Sequence, residues 1–138
     1  KWKKSVSGCN WIDNELIQFG ENHFPEIIVF SKELKIAGTI DLLTYDKNTS
    51  RCYIFDWKTS AKIDMVGRES GITQACANLT NCRFDQYSLQ LSAYSYLLKR
   101  FHGIEVAEQY IVHLMDDGVE CIKAKNLESN IINIFKGL

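Results

Sequence analysis

The sequence predicts an α/β domain, a central mixed β-sheet flanked by helices, and three observations lead there. β-prone runs and amphipathic helical runs succeed one another in the order α-β-β-β-α-β-β-α. At 138 residues, with 46% apolar side chains and a single proline, the chain can bury one real core and does not have the composition of a disordered segment. No internal repeat or low-complexity linker divides it, so residues 1–138 are expected to form one domain.

Each element has its own signal. Asn10 to Phe19 sets Trp11, Ile12, Leu16 and Phe19 at helical spacing, and Gly20 is a plausible stop. Pro25 then opens a β-rich run from Glu26 to Ser31. Ile36 to Tyr45 and Arg51 to Lys58 read as two more strands, joined by the polar turn cluster DKNTS. Residues 61–83 are less regular, with Gly67 and Gly71 as breaks and a short helix expected around Thr73 to Asn78. Phe84 to Phe101 is the longest helical pattern. It ends before His102-Gly103, and Lys99 and Arg100 complement the dipole at its C-terminus. Glu108 to Met115 is a strand, the DDG that follows is a turn, and Val119 to Ala124 is another strand. Leu127 to Phe135 closes the chain as a helix with Ile131, Ile132 and Phe135 on one side.

Composition excludes several classes. No apolar run approaches the roughly eighteen residues of a membrane span, so no membrane partner is expected. Five cysteines, an odd number without tight pairing, argue against a disulfide framework. They point to an intracellular setting: the cytoplasm of a bacterium or virus-infected cell, or an organelle. Cys76 and Cys82 are spaced too widely for the usual zinc pair, so zinc is not expected. The opening KWKK is followed by polar residues and is no signal peptide. It lacks an initiator Met, so a chain truncated at its N-terminus is expected. A net charge of −1 gives no global basic signature. Nucleic-acid binding would need a local patch, for which Lys62, Arg68, Arg83, Lys99 and Arg100 are the candidates.

The informative stretch is IFDWKTS, Ile54 to Ser60. Strand alternation puts Cys52, Ile54, Asp56 and Lys58 on one face, and Tyr53, Phe55 and Trp57 on the other, which makes Trp57 a core residue. A two-residue hairpin loop centred on Asn48-Thr49 pairs Lys47 with Ser50 and Tyr45 with Cys52. The same register sets Asp41 across from Asp56 and Thr39 across from Lys58, with opposite Cβ atoms about 4.5–5.5 Å apart. Carboxylates that close repel, and one protonates unless a positive charge joins them. A divalent cation resolves the conflict. Mg²⁺ prefers oxygen ligands and takes one or two carboxylates, and the Trp57 carbonyl can add a third oxygen. Lys58 is placed to reach attacking water or a phosphate. A lone strand aspartate or a lone D-x-K is commonplace; their coincidence in one register is what carries weight.

GTID followed by FDWKTS resembles the PD-(D/E)XK nuclease superfamily, whose signature is an aspartate at the end of one strand and D/E-x-K on the next. Downstream, YSLQLSAYSYLLKR holds Gln90 and Tyr94 as Q-x-x-x-Y, the mark of the RecB-like branch that includes phage and mitochondrial DNA exonucleases. The resemblance covers roughly Glu26 to Tyr96. It implies Mg²⁺- or Mn²⁺-dependent hydrolysis of single- or double-stranded DNA, through water activated by one or two metals. Asp41 and Asp56 would bind metal and Lys58 would handle the water. Gln90 and Tyr94, with Gln86 one turn earlier, would contact DNA or brace the site. Thr59 and Ser60 would donate to a phosphate. Glu26 matches the acidic residue these proteins often carry just before the first strand, and Glu15 is a weaker alternative. The metal-binding histidine of many RecB-like proteins is not assigned to His23, which is expected in a loop. Iron–sulfur members place three cysteines after the Q-x-x-x-Y helix; here only Cys121 follows, so no cluster is expected. Such a domain would work within a larger polypeptide or with a replication or recombination partner.

Three alternatives stay open. The domain could bind DNA without cutting it, it could cut RNA on the same fold, or it could be an interaction domain in which Asp56 and Lys58 merely pair.

Overall fold

The computed structural model describes residues 2–67, 76–80 and 82–137. Helix α1 (Trp2–Asn14) and a 3-10 turn (Leu16–Phe19) lead into strands β1 (Asn22–Ser31), β2 (Ile36–Asp46) and β3 (Arg51–Lys58). Helix α2 (Arg83–His102), strands β4 (Val106–Met115) and β5 (Gly118–Lys123) and helix α3 (Glu128–Lys136) follow. The expected element order and mixed α/β architecture are both present. The sheet keeps chain order, β1-β2-β3-β4-β5. Its pairs are antiparallel except β3–β4, which run parallel and therefore need α2 as their crossover. No helix among the described residues is long and apolar enough to cross a membrane.

The sheet buries both faces. Ile54 and Ile111 pack with Leu91, Leu97 and Leu98 of α2 on one side. Phe55 and Val112 pack with Trp11 and Leu16 on the other. Alternation along β3 thus separates two cores, which is why its run reads as almost continuously apolar. The N-terminus of α2 is pinned by Asp85, which is buried and accepts from Thr80 N at 2.8 Å and from Lys125 Nζ at 2.5 Å. Burial alone would raise its pKa, but the Lys125 and Thr80 bonds hold it below the ordinary carboxylate value.

Four local details differ from the sequence expectation. Helix α1 starts at Trp2 rather than Asn10. Its first turns have little apolar periodicity, and tertiary contact holds them: Gly8 packs so closely that a Cβ there would lie 3.4 Å from Leu114. Strand β1 starts at Asn22, so Pro25 lies inside it and His23 sits on a strand, paired with Thr44, rather than in a loop. A proline is tolerated there because β1 is an edge strand. The β2–β3 loop has four residues, 47–50, rather than two. Asp46 Oδ1 accepts from Asn48 N at 2.9 Å and Ser50 takes a left-handed φ of +56°. The loop keeps the same centre, so Tyr45 still pairs with Cys52 and Leu42 with Phe55. Residues 76–78 form a turn; the remainder of the helix expected around Thr73 to Asn78 lies outside the described residues. All five cysteines are free.

Candidate active site

The centre forms where β2 and β3 part. Their ladder ends at Leu42–Phe55, and at the next level Asp41 Oδ2 accepts the Trp57 backbone N–H at 2.9 Å. A carboxylate thus takes the place of a backbone carbonyl, which fixes it beside Asp56. On the other side of Asp41 the β1–β2 ladder also loses a rung. Pro25 pairs with Leu42 and Ile27 with Ile40, while Glu26, between them, has a left-handed φ of +54°. The strand's inward face changes there too. Ile40 belongs to the α2-side core and Leu42 to the α1-side core, with Asp41 between them. Breaks of this kind re-aim a side chain, and here the one re-aimed is an acid.

Asp56 is only 6% exposed. Burial first, and then its hydrogen bond to Asp41, raise its pKa to about 6, although Lys58 pulls the other way. The Asp56 carboxyl thus holds its proton more tightly than an ordinary aspartate. Lys58 Nζ lies 2.7 Å from Asp56 Oδ2. That oxygen is fully buried and has no aligned hydrogen-bond donor among the described residues. An oxygen-only pair of this kind suits a hard divalent cation, which accepts one or two carboxylates and fills its remaining places with water and substrate. Among the described residues no third Asp, Glu, His or Cys gathers with them. Glu26 is level with Asp41 but exposed to solvent.

Helix α2 supplies the opposite wall. Lys58 Nζ is 3.5 Å from Gln90 Oε1, and Gln90 Nε2 donates to Tyr94 OH at 3.0 Å. The Tyr94 ring rests on β2 where Gly38 leaves room; a Cβ on Gly38 would stand 2.4 Å from Tyr94 Cε1. The i, i+4 pair thus faces the carboxylates through Lys58. Gln86, one turn earlier, is exposed and lines an open groove with Lys62, Asp64 and Arg83.

The strand exit is clamped from two sides. Lys4 Nζ of α1 donates to Thr59 O at 2.8 Å, and His113 Nε2 sits 2.6 Å from Ser60 O. Ser60 Oγ is buried without a partner among the described residues. Thr59 is exposed. Trp57 pairs with Val112, and its ring meets Trp11 edge-on at 5.8 Å on the far face, as the alternation predicts.

The candidate basic residues do not converge. Arg83 Nη1 donates to Lys62 O at 2.8 Å, close to the groove. Lys99 pairs with Glu128 at 3.3 Å and Arg100 with Glu33 at 3.2 Å. These two lie roughly 13 Å or more along the axis of α2 from Gln90. Arg68 lies outside the described residues. Two neighbours of the centre were not anticipated from the sequence. Tyr87 holds its ring centroid 4.3 Å from Lys58 Nζ, and buried His113 pairs with Lys58 across β3–β4. Tyr87 stands three residues before Gln90, so helical spacing could have found it; His113 depends on a long-range parallel register.

No family model and no curated protein sequence matches the chain. Among solved structures, the chain is similar to a protein from Eubacterium rectale described as a "Putative exonuclease", with a TM-score of 0.60 at 12% identity. The match covers 99% of this chain and 50% of that one, so the chain spans about half the length of that protein. At this identity the likeness establishes a shared fold, an α/β core around a mixed sheet.

Proposed function

We propose that the chain is a divalent-metal-dependent nuclease that hydrolyses phosphodiester bonds in DNA, removing nucleotides from an end. The observation that carries this reading is geometric: Asp41, held by the Trp57 N–H at 2.9 Å, stands beside buried Asp56, with Lys58 Nζ 2.7 Å from Asp56 Oδ2 and 3.5 Å from Gln90 Oε1. Burial, and then Asp41, raise the Asp56 pKa to about 6 against the opposing pull of Lys58, as expected where a buried acid has a second acid beside it.

Asp41 and Asp56 would hold Mg²⁺ or Mn²⁺, with the Trp57 carbonyl and Glu26 as further oxygen donors. When bound, such an ion polarises the phosphate and lowers the pKa of water. The side chains do the rest. Lys58 stands over Asp56 with its ammonium oriented by Gln90, ready to donate to a phosphate oxygen or to orient water. Gln90 and Tyr94 brace that lysine and offer an amide and a hydroxyl to the nucleic-acid backbone. Gln86 and Thr59 extend the polar wall on either side. The Gln90–Tyr94 pair is also the support for the RecB-like branch, and hence for DNA over RNA. The support for end-directed cutting is the fold shared with a protein described as a "Putative exonuclease".

End-labelled linear DNA, single- and double-stranded, should be degraded in Mg²⁺ or Mn²⁺ while circular DNA persists. Cutting of circles would replace the exonuclease reading with an endonuclease one. Cleavage of RNA in preference to DNA would assign the other polymer. Tight DNA binding without cleavage in either metal would favour a non-cutting module.

A further inference from the structure

We infer that Tyr87 is a positioning residue for Lys58, its ring serving as a fixed seat for the ammonium group; this rests on the nuclease reading of the same centre. The Lys58 side chain is 21% exposed and ends among three neighbours: Asp56 Oδ2 at 2.7 Å, Gln90 Oε1 at 3.5 Å, and the Tyr87 ring centroid at 4.3 Å. A cation within about 6 Å of an aromatic centroid is drawn to the ring face, more strongly when water is partly excluded. Tyr87 is itself half-buried against the α2-side core, so its ring is held in place.

The three contacts differ in permanence. A cation held by Asp41 and Asp56 would compete with Lys58 for the Asp56 carboxylate. The Gln90 contact is long and uses an amide that also serves Tyr94. The aromatic face depends on neither the Asp56 carboxylate nor a metal. It keeps a flexible four-carbon side chain, which otherwise gains rotamer freedom by swinging to solvent, aimed along the strand exit. Tyr87 lies three residues before Gln90 on the same helix, so one turn of α2 presents both the ring and the amide to Lys58.

The test compares Tyr87→Phe, which keeps the ring, with Tyr87→Leu, which removes it; Tyr87→Met replaces the leucine variant should that one not fold. Lys58 labelling by an amine-reactive reagent is followed by peptide mass spectrometry at one pH, without metal or DNA. The ring-free variant should label roughly three- to tenfold faster than wild type, and the phenylalanine variant within about twofold. On linear DNA with Mn²⁺, the ring-free variant should lose kcat by a similar factor with KM unchanged, and phenylalanine should rescue it. Equal labelling in all three proteins, or a phenylalanine variant as impaired as the leucine one, overturns the inference. Wild-type protein that cuts no DNA would defeat the nuclease reading instead, and the labelling comparison would still decide whether Tyr87 seats Lys58.

Discussion

Asp41 accepts the Trp57 backbone N–H at 2.9 Å, one level past the last β2–β3 pair, and so is built into the sheet next to Asp56. An amide oxygen could accept the same bond. Asp41→Asn should therefore keep the local geometry while removing the charge. Both Asp41→Asn and Asp56→Asn should abolish DNA cleavage with the circular-dichroism spectrum unchanged. Near wild-type turnover in either variant would remove the pair from the reaction.

The raised pKa of Asp56 has a defined sign. A carboxyl at about 6 in the folded chain, against 3.8 as its ordinary value, binds its proton more tightly folded than unfolded. Its contribution to stability is complete below about pH 4, declines as pH rises through 6, and is then lost, amounting to about 3 kcal/mol at most. In metal-free protein, the stability difference between wild type and Asp56→Asn should shift in favour of the asparagine variant as pH rises across that window. Parallel stability curves in urea titrations at pH 4.5 and 7.5 would refute the shift.

Lys58→Ala separates chemistry from binding. The variant should retain Mn²⁺ binding and lose roughly 10²–10⁴-fold in rate, the usual scale for a positioned proton-transfer group. Loss of metal affinity with the rate per bound metal preserved would make Lys58 a structural counter-ion.

Gly38 controls the Q-x-x-x-Y pair from the opposite strand. A methyl group 2.4 Å from Tyr94 Cε1 must push the ring away, and the ring is the far end of a movable side chain. Gly38→Ala should therefore fold with a loss of about 1–3 kcal/mol and break the Tyr94–Gln90 bond. Cleavage should fall as it does in Tyr94→Ala and Gln90→Ala, with Mn²⁺ affinity intact in all three. Full activity in Gln90→Ala and Tyr94→Ala would reduce the pair to a polar helix stripe.

Local pattern explains what the sequence made legible. Strand β3 falls at Arg51–Lys58, as expected, because its alternation is sharp and a polar turn precedes it. The Tyr45–Cys52 register survived a wrong loop length because two- and four-residue loops about one centre give the same pairing. The first turns of α1 were missed because Trp2 and Val6 are exposed and carry no apolar stripe; contact with Leu114 and Thr59 holds them instead. His113 was invisible for a related reason. Its place beside Lys58 arises from parallel pairing of strands about fifty residues apart, which no short window encodes. Ser60 lies at the strand exit as expected, with its hydroxyl oxygen buried.

Calorimetric titration of Mn²⁺ into metal-free protein tests the central claim most directly, because it needs no assumption about substrate, polarity or ends. A metal site formed by Asp41 and buried Asp56 predicts saturable binding to the wild type, greatly weakened in Asp41→Asn and in Asp56→Asn. Absence of binding to the wild type, or binding left unchanged by both substitutions, would contradict the metal centre and with it the nuclease built upon it.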